Sequence, residues 1–156
     1  MTPGQEPALD PKEGQGSLLL LALLACVVGV GAGAIGTVFR LWLLRGDAWR
    51  DALIAWGHTT PIAGFLIVTI GCGAAVALAA WLVHRYSPEA SGSGIPHVEA
   101  VLRKEVPPAP FSVLPVKFFG GLLAIGSGLA LGREGPSVQM GASIARLVGD
   151  LARRQW

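Results

Sequence analysis

SLLLLALLACVVGVGAGAIGTVF, residues 17–39, carries no charged side chain. A straight helix needs roughly 20 apolar residues to cross about 30 Å of hydrocarbon, and Ser17–Phe39 meets that length. Ile62–Val83 is a second stretch equally free of charge. Val106–Gly132 is a third candidate span, flawed by Lys117. Two shorter pieces, Ser91–Leu102 (which holds Glu99) and Gly135–Ala145, suit broken or re-entrant helices. A bilayer tolerates these only where they are buried in protein or line a cavity. The expected fold class is therefore all-α: a polytopic membrane protein with tilted and broken (re-entrant) helices.

Composition points the same way. Of the 156 residues, 52% are hydrophobic and only 14% charged, against roughly 25% charged in ordinary soluble domains. Mean hydropathy is +0.56. Too few charges remain to solvate a globular surface, and disorder is excluded for the whole chain on the same ground. The 22 glycines follow no G-X-Y period, so a collagen helix is out. A formal charge of +2 is too small for a nucleic-acid surface, and no nucleic-acid partner is expected. Cys26 and Cys72 lie in apolar runs at no disulfide or zinc spacing, and read as small packing residues. No cofactor and no metal site is expected. Gly29, Gly31, Gly33 and Gly36 offer span one a small-residue face, as Gly128 and Gly132 do near the end of the third candidate. Lipid chains are as apolar as leucine, so spans associate through such close packing.

Outside the spans, residues 1–16 are rich in Pro, Gly and Gln and hold Glu6, Asp10, Lys12 and Glu13. They read as a disordered tail before an uncleaved span, not as a signal peptide; the membrane domain is expected over 17–156. The connection Arg40–Pro61 mixes arginines and aspartates with Trp42, Trp49 and Trp56, which suits an interfacial segment and lets the first helix run obliquely beyond the hydrocarbon. Basic residues flank the spans on both sides, so charge alone does not set orientation. His84, Arg85 and Tyr86 read as interfacial anchors closing span two, and His58 and His97 as solvated.

Two junctions break the apolar pattern and resemble each other. Ser91-Gly92-Ser93-Gly94-Ile95-Pro96 leads into His97-Val98-Glu99, and Gly132-Arg133-Glu134-Gly135-Pro136 leads into Ser137-Val138-Gln139. Each sets glycines around a polar residue, then a proline, then a helix-compatible run. Proline suits the first helical position, where its missing N–H would have no partner in any case. Both junctions are thus expected to be helix N-termini in or near the apolar region. A helix start exposes unpaired N–H groups and about half a positive charge, a ready site for an anion. Ser93 then reads either as a hydroxyl donor to that anion or as an ordinary N-cap. Glu134, beside Arg133, reads either as a carboxylate competing with an anion for the helix end or as half of an interfacial charge pair. Protonation would discharge the carboxylate and couple anion occupancy to pH. Lys117 is expected to snorkel or to pair with a carboxylate such as Glu99.

Enzyme chemistry finds no support. Position 91 is serine, so Ser93 lacks the first glycine of a G-x-S-x-G elbow. Neither a phosphate-binding G-x-x-x-x-G-K-[ST] nor H-E-x-x-H occurs.

The motifs from Arg85 to Arg146 resemble the ClC family of chloride channels and proton/chloride exchangers, in the form of its bacterial exchangers. Ser91-Gly92-Ser93-Gly94-Ile95-Pro96 is similar to the family's GSGIP region. Leu114-Pro115-Val116-Lys117-Phe118-Phe119-Gly120-Gly121 is similar to its next helix, and Gly132-Arg133-Glu134-Gly135-Pro136 to its GREGP element. The resemblance implies chloride bound by Ser93, Gly94 and Ile95. It also implies Glu134 as gate and proton acceptor, flanked by Arg133, Gly135 and Pro136, with Lys117 and Glu99 supporting the electrostatics. Serine in place of the proline of nitrate-preferring relatives points to chloride. The implied fold is an inverted repeat with tilted, broken helices, assembled as a homodimer in a bacterial plasma membrane. Chloride and protons are the implied substrates, and the lipid bilayer is the implied surroundings. The family's later pore parts (a G-x-F-x-P element, a pore tyrosine, an inner glutamate) do not occur before Trp156. Alone, the chain is expected to enclose no complete pore, as a fragment or a truncated non-transporting product, and channel versus exchanger stays open.

Overall fold

The computed structural model describes residues 11–155. Of the tail expected over 1–16, residues 1–10 lie outside the described residues, and from Pro11 the chain is drawn as helix. That helix, α1, runs Pro11–Thr59, 49 residues, or roughly 74 Å at 1.5 Å per residue. It exceeds the hydrocarbon thickness more than twofold, as a first helix extending past the membrane requires. The stretch Arg40–Pro61, expected as a connection, is helical up to Thr59. Side chains within it favour continuation: Arg50 bonds Asp47 one turn back at 3.1 Å.

The chain turns at Thr60, and Pro61 opens α2, Pro61–Tyr86. Here α1 and α2 all but touch, since a Cβ on Gly64 would lie 2.6 Å from Gly57 Cα. Among the described residues, α1 and α2 are the two helices long and apolar enough to cross a membrane. At the end of α2, Trp81 and Tyr86 meet edge to face at 5.7 Å, and the Arg85 guanidinium lies over the Tyr86 ring.

A 3-10 turn, Pro88–Ala90, leads to α3, Ile95–Leu102. Next come α4, Val113–Gly126, and α5, Glu134–Gln155. The third candidate span, Val106–Gly132, therefore needs correction. Only 14 of its residues are helical, roughly 21 Å, because Pro107, Pro108 and Pro110 oppose helix before it and Gly128, at φ +102°, ends it. Gly135–Ala145 is corrected in the other direction. It is not a separate short helix but part of α5, which runs on past the i,i+4 pair Arg146–Asp150 (3.4 Å).

α1 packs on α2, α4 and α5; α4 also packs on α2 and α5, and α3 rests on α5. Phe39 and Leu43 of α1 meet Ile125 of α4 and Met140 of α5 in one buried cluster. Ala90, Val113 and Val116 form a second beneath the 3-10 turn. Much of the remaining apolar surface of α1 and α2 is exposed, including Leu19, Val30, Ile62 and Phe65, the pattern of helices solvated by lipid or by further protein. Of the small-residue face on α1, Gly31 packs against Ile144 of α5, whereas Gly29, Gly33 and Gly36 face open space. Gly128 and Gly132 lie between α4 and α5 and form no span face. Cys26 is exposed, so it does not pack as expected.

Candidate functional site

The loop between the 3-10 turn and α3 is built on two glycines in the left-handed region, Gly92 (φ +65°) and Gly94 (φ +77°). An L side chain at such an angle costs about 1–2 kcal/mol. Gly94 is also hemmed in, because an added Cβ would overlap the Gln139 carboxamide of α5. Gly94, not Ser93, is the N-cap of α3, and no side chain caps that helix. The N-cap reading of Ser93 is therefore set aside, and Ser93 lines a cavity instead.

Lys117, on α4, holds this loop from the other side. Its Nζ donates to the carbonyls of Ala90 (2.9 Å) and Gly92 (2.6 Å), and the side chain is buried. It neither snorkels nor reaches Glu99, which is exposed on α3. A buried ammonium requires such partners. Because a trans peptide sets C=O and N–H on opposite sides, fixing the Gly92 carbonyl on Lys117 turns the Ser93 N–H away from it. Gln139 completes the support: it is buried, and its Nε2 donates to the Glu89 carbonyl at 2.8 Å.

The second junction meets the first. Gly135, in the first turn of α5, abuts Ser93 so closely that a Cβ would lie 2.9 Å from Ser93 Cα and overlap the Ser93 carbonyl. Only glycine permits that approach. α5 begins at Glu134, so Pro136 is its third residue and not its first. The placement remains within the turn whose N–H groups lack helix partners. Ser93, Ile95, Lys117, Glu134, Gly135 and Pro136 all line one cavity of about 730 Å3 between α2, α4 and the starts of α3 and α5. Gly94 does not line it, and Glu99 does not line it either.

Arg133 forms no pair with Glu134. Its Nη2 lies 3.7 Å from Asp47 Oδ2 on α1, and Asp47 in turn bonds Arg50. Asp47 and Gln139 are the contributors that the sequence reading does not single out. A lone carboxamide in an otherwise apolar run is the signal for Gln139; the Asp47 link joins segments far apart in sequence and leaves no local mark. His97, expected to be solvated, is half-buried with Nε2 shut from solvent and without a hydrogen-bond partner, whereas His58 is exposed.

A cavity lined by two helix starts, Ser91 and Ser93 and the Glu134 carboxylate, with the Lys117 ammonium on its wall bound to the Ala90 and Gly92 carbonyls, can hold an anion at the helix ends. Comparison with known proteins agrees with that chemistry: residues 74–156 match the family described as voltage gated chloride channel. The chain belongs to this ClC family. Its relatives include the H(+)/Cl(-) exchange transporter ClcA of Vibrio vulnificus, 44% identical over 135 residues, which are 83% of this chain and 28% of that protein. The ClcA exchangers of Vibrio cholerae and Vibrio parahaemolyticus are 42% and 40% identical, over 88% and 84% of this chain. The chain thus spans between a quarter and a third of the length of these ClC relatives. The ClC family is one of ion transport and not of enzymes.

Proposed function

We propose that this chain supplies one wall of a transmembrane chloride pathway, working as an H+/Cl− exchanger like its relatives. Chloride sits at the start of α3, met by the Ser93 hydroxyl and the Ile95 amide, with the Gly94 amide behind them, outside the cavity lining. Glu134 is the gate: ionised, it occupies the anion's place at the α5 N-terminus; protonated, it leaves. Arg133, Gly135 and Pro136 set its position, and Lys117 fixes the loop that carries Ser93. Glu99, exposed on α3 and absent from the cavity lining, acts only through the general field. The pathway belongs to an inverted-repeat fold with re-entrant helices, assembled as a homodimer in a bacterial plasma membrane.

The observation that carries this reading is the contact of Gly135 with Ser93, which brings both helix starts and the Glu134 carboxylate to one cavity. In a low dielectric the partial charges of helix ends bind an anion well enough to select it and loosely enough to release it.

The test joins the chain to the remaining length of the Vibrio vulnificus relative and measures chloride flux in vesicles. Glu134→Ala is expected to abolish the pH dependence of flux, and Ser93→Pro to shift preference from chloride towards nitrate. Retained pH dependence in the first variant refutes the gate; an unaltered selectivity ratio in the second refutes the serine.

A further inference from the structure

A second cavity, of about 460 Å3, lies between α3, the loop at Pro108 and Ala109, and α5. Its wall is mostly apolar, and the polar side chains on it are His97, Gln139, Ser143 and Arg146. Two of these are committed elsewhere. The Ser143 hydroxyl donates to the Gln139 backbone carbonyl at 2.9 Å. The Arg146 guanidinium donates to the carbonyls of Pro108 and Ala109 and pairs with Asp150 at 3.4 Å. The other two are not. His97 Nε2 and Gln139 Oε1 are closed to solvent, and among the described residues they are the buried side-chain atoms that lack a hydrogen-bond partner. Such burial is costly for each, because water cannot stand in for the missing partner.

The two atoms are complementary. Gln139 Nε2 donates to the Glu89 carbonyl at 2.8 Å, which fixes the orientation of the carboxamide, since reversing it would set oxygen against oxygen. Oε1 is therefore an acceptor without a donor. A neutral imidazole carries its proton on either ring nitrogen, and on Nε2 it supplies that donor. The backbone brings the pair together. Oε1 lies against Gly94, where an added Cβ would overlap it, and His97 follows Gly94 by three residues on α3. Helical side chains lean back over the preceding turn, so both groups converge on one glycine. No hydrogen bond joins them in the structure, but the imidazole turns about a soft torsion, which moves Nε2 without disturbing either helix. We infer that His97 donates its Nε2–H to Gln139 Oε1 and is thereby a positioning residue for the loop that carries Ser93. The relay runs from α3 through α5 to the 3-10 turn, while Lys117 of α4 holds the carbonyls between. The role in anion binding rests on the chloride pathway proposed above; the hydrogen bond itself does not.

Solid-state NMR of the 156-residue chain in lipid bilayers, recorded near pH 8 where imidazole is ordinarily neutral, reads the pair without any variant. His97 is expected as its Nε2–H tautomer, with Nε2 about 3.5–4 Å from Gln139 Cδ, as one N–H···O bond requires. The Nδ1–H tautomer, or a separation above about 5 Å, overturns the hydrogen bond. Flux through the chain joined to the rest of the Vibrio vulnificus relative tests the role. His97→Leu is expected to raise the chloride concentration at half-maximal flux about threefold or more, the size of effect one hydrogen bond accounts for. His97→Gln, whose Nε2–H has a similar reach, should restore it. Equal half-saturation in the parent and His97→Leu overturns the positioning role. A short His97–Gln139 distance with an unaltered selectivity ratio in Ser93→Pro keeps the hydrogen bond and removes the chloride reading. A long distance with an altered ratio removes this inference and leaves the chloride reading standing.

Discussion

Gly135 is the point at which two distant segments touch, and the contact tolerates no side chain. In Gly135→Ala the new methyl must push against the Ser93 backbone, not against a flexible side-chain tip. Overpacking of this kind costs about 1–3 kcal/mol, so the melting temperature in detergent is expected to fall clearly; an unchanged melting curve would show that the two junctions are not in contact. The same residues show where sequence reading reaches its limit. The glycine and proline spacing around Ser93 and Glu134 is local, and it marks both junctions as helix starts. Lys117 is different, because its partners are the carbonyls of Ala90 and Gly92. Every residue owns a carbonyl, so no residue type announces that role, and a carboxylate such as Glu99 is the natural but mistaken choice.

Helix ends obey the same division. α2 starts at a proline and α4 is bounded by prolines and a positive-φ glycine, all visible as letters. The continuity of α1 to Thr59 and of α5 to Gln155 is less visible. It depends on i,i+3 and i,i+4 ion pairs within stretches whose charge density suggests a loop. The α1–α2 hairpin gives a sharp contrast between two glycines. A methyl at Gly64 meets the Gly57 backbone at 2.6–2.7 Å, whereas one at Gly57 first meets the Val68 Cγ2 methyl at 3.2 Å. Backbone cannot rotate aside and a valine side chain can, so Gly64→Ala should cost about 1–3 kcal/mol and Gly57→Ala less. Spin labels placed on α1 and α2 should report a wider hairpin in Gly64→Ala alone; equal distances in both variants would contradict the close crossing.

At the scale of the molecule, the described core is thin. Two small buried clusters draw their residues from α1, α4, α5 and the 3-10 turn, while long apolar faces of α1 and α2 remain uncovered. Sequence reading recognises the spans from the absence of charge, and it also anticipates two helix starts. Their convergence on one cavity, and the Asp47–Arg133 tie across the bundle, depend on packing between segments that periodicity does not relate. The cavity is walled on the described side by α2, α4 and the two junctions, and the chain covers 28% of the Vibrio vulnificus exchanger's length. The 156-residue chain reconstituted alone in chloride-loaded vesicles is therefore expected to give no efflux above empty vesicles. Efflux that disappears in Ser93→Pro would mean that this chain suffices for a pathway.

The clamp on the Ser93 loop also imposes an order in time. Residues 90–92 leave the ribosome well before Lys117, Gly135 and Gln139, the groups that hold or crowd the loop between the 3-10 turn and α3. Until α4 and α5 have been synthesised and inserted, those two carbonyls have only water or lipid headgroups to answer them. The shape of the Ser93 loop is therefore not inherited from the first hairpin to enter the bilayer. It is assembled late, when the nascent chain folds back on itself.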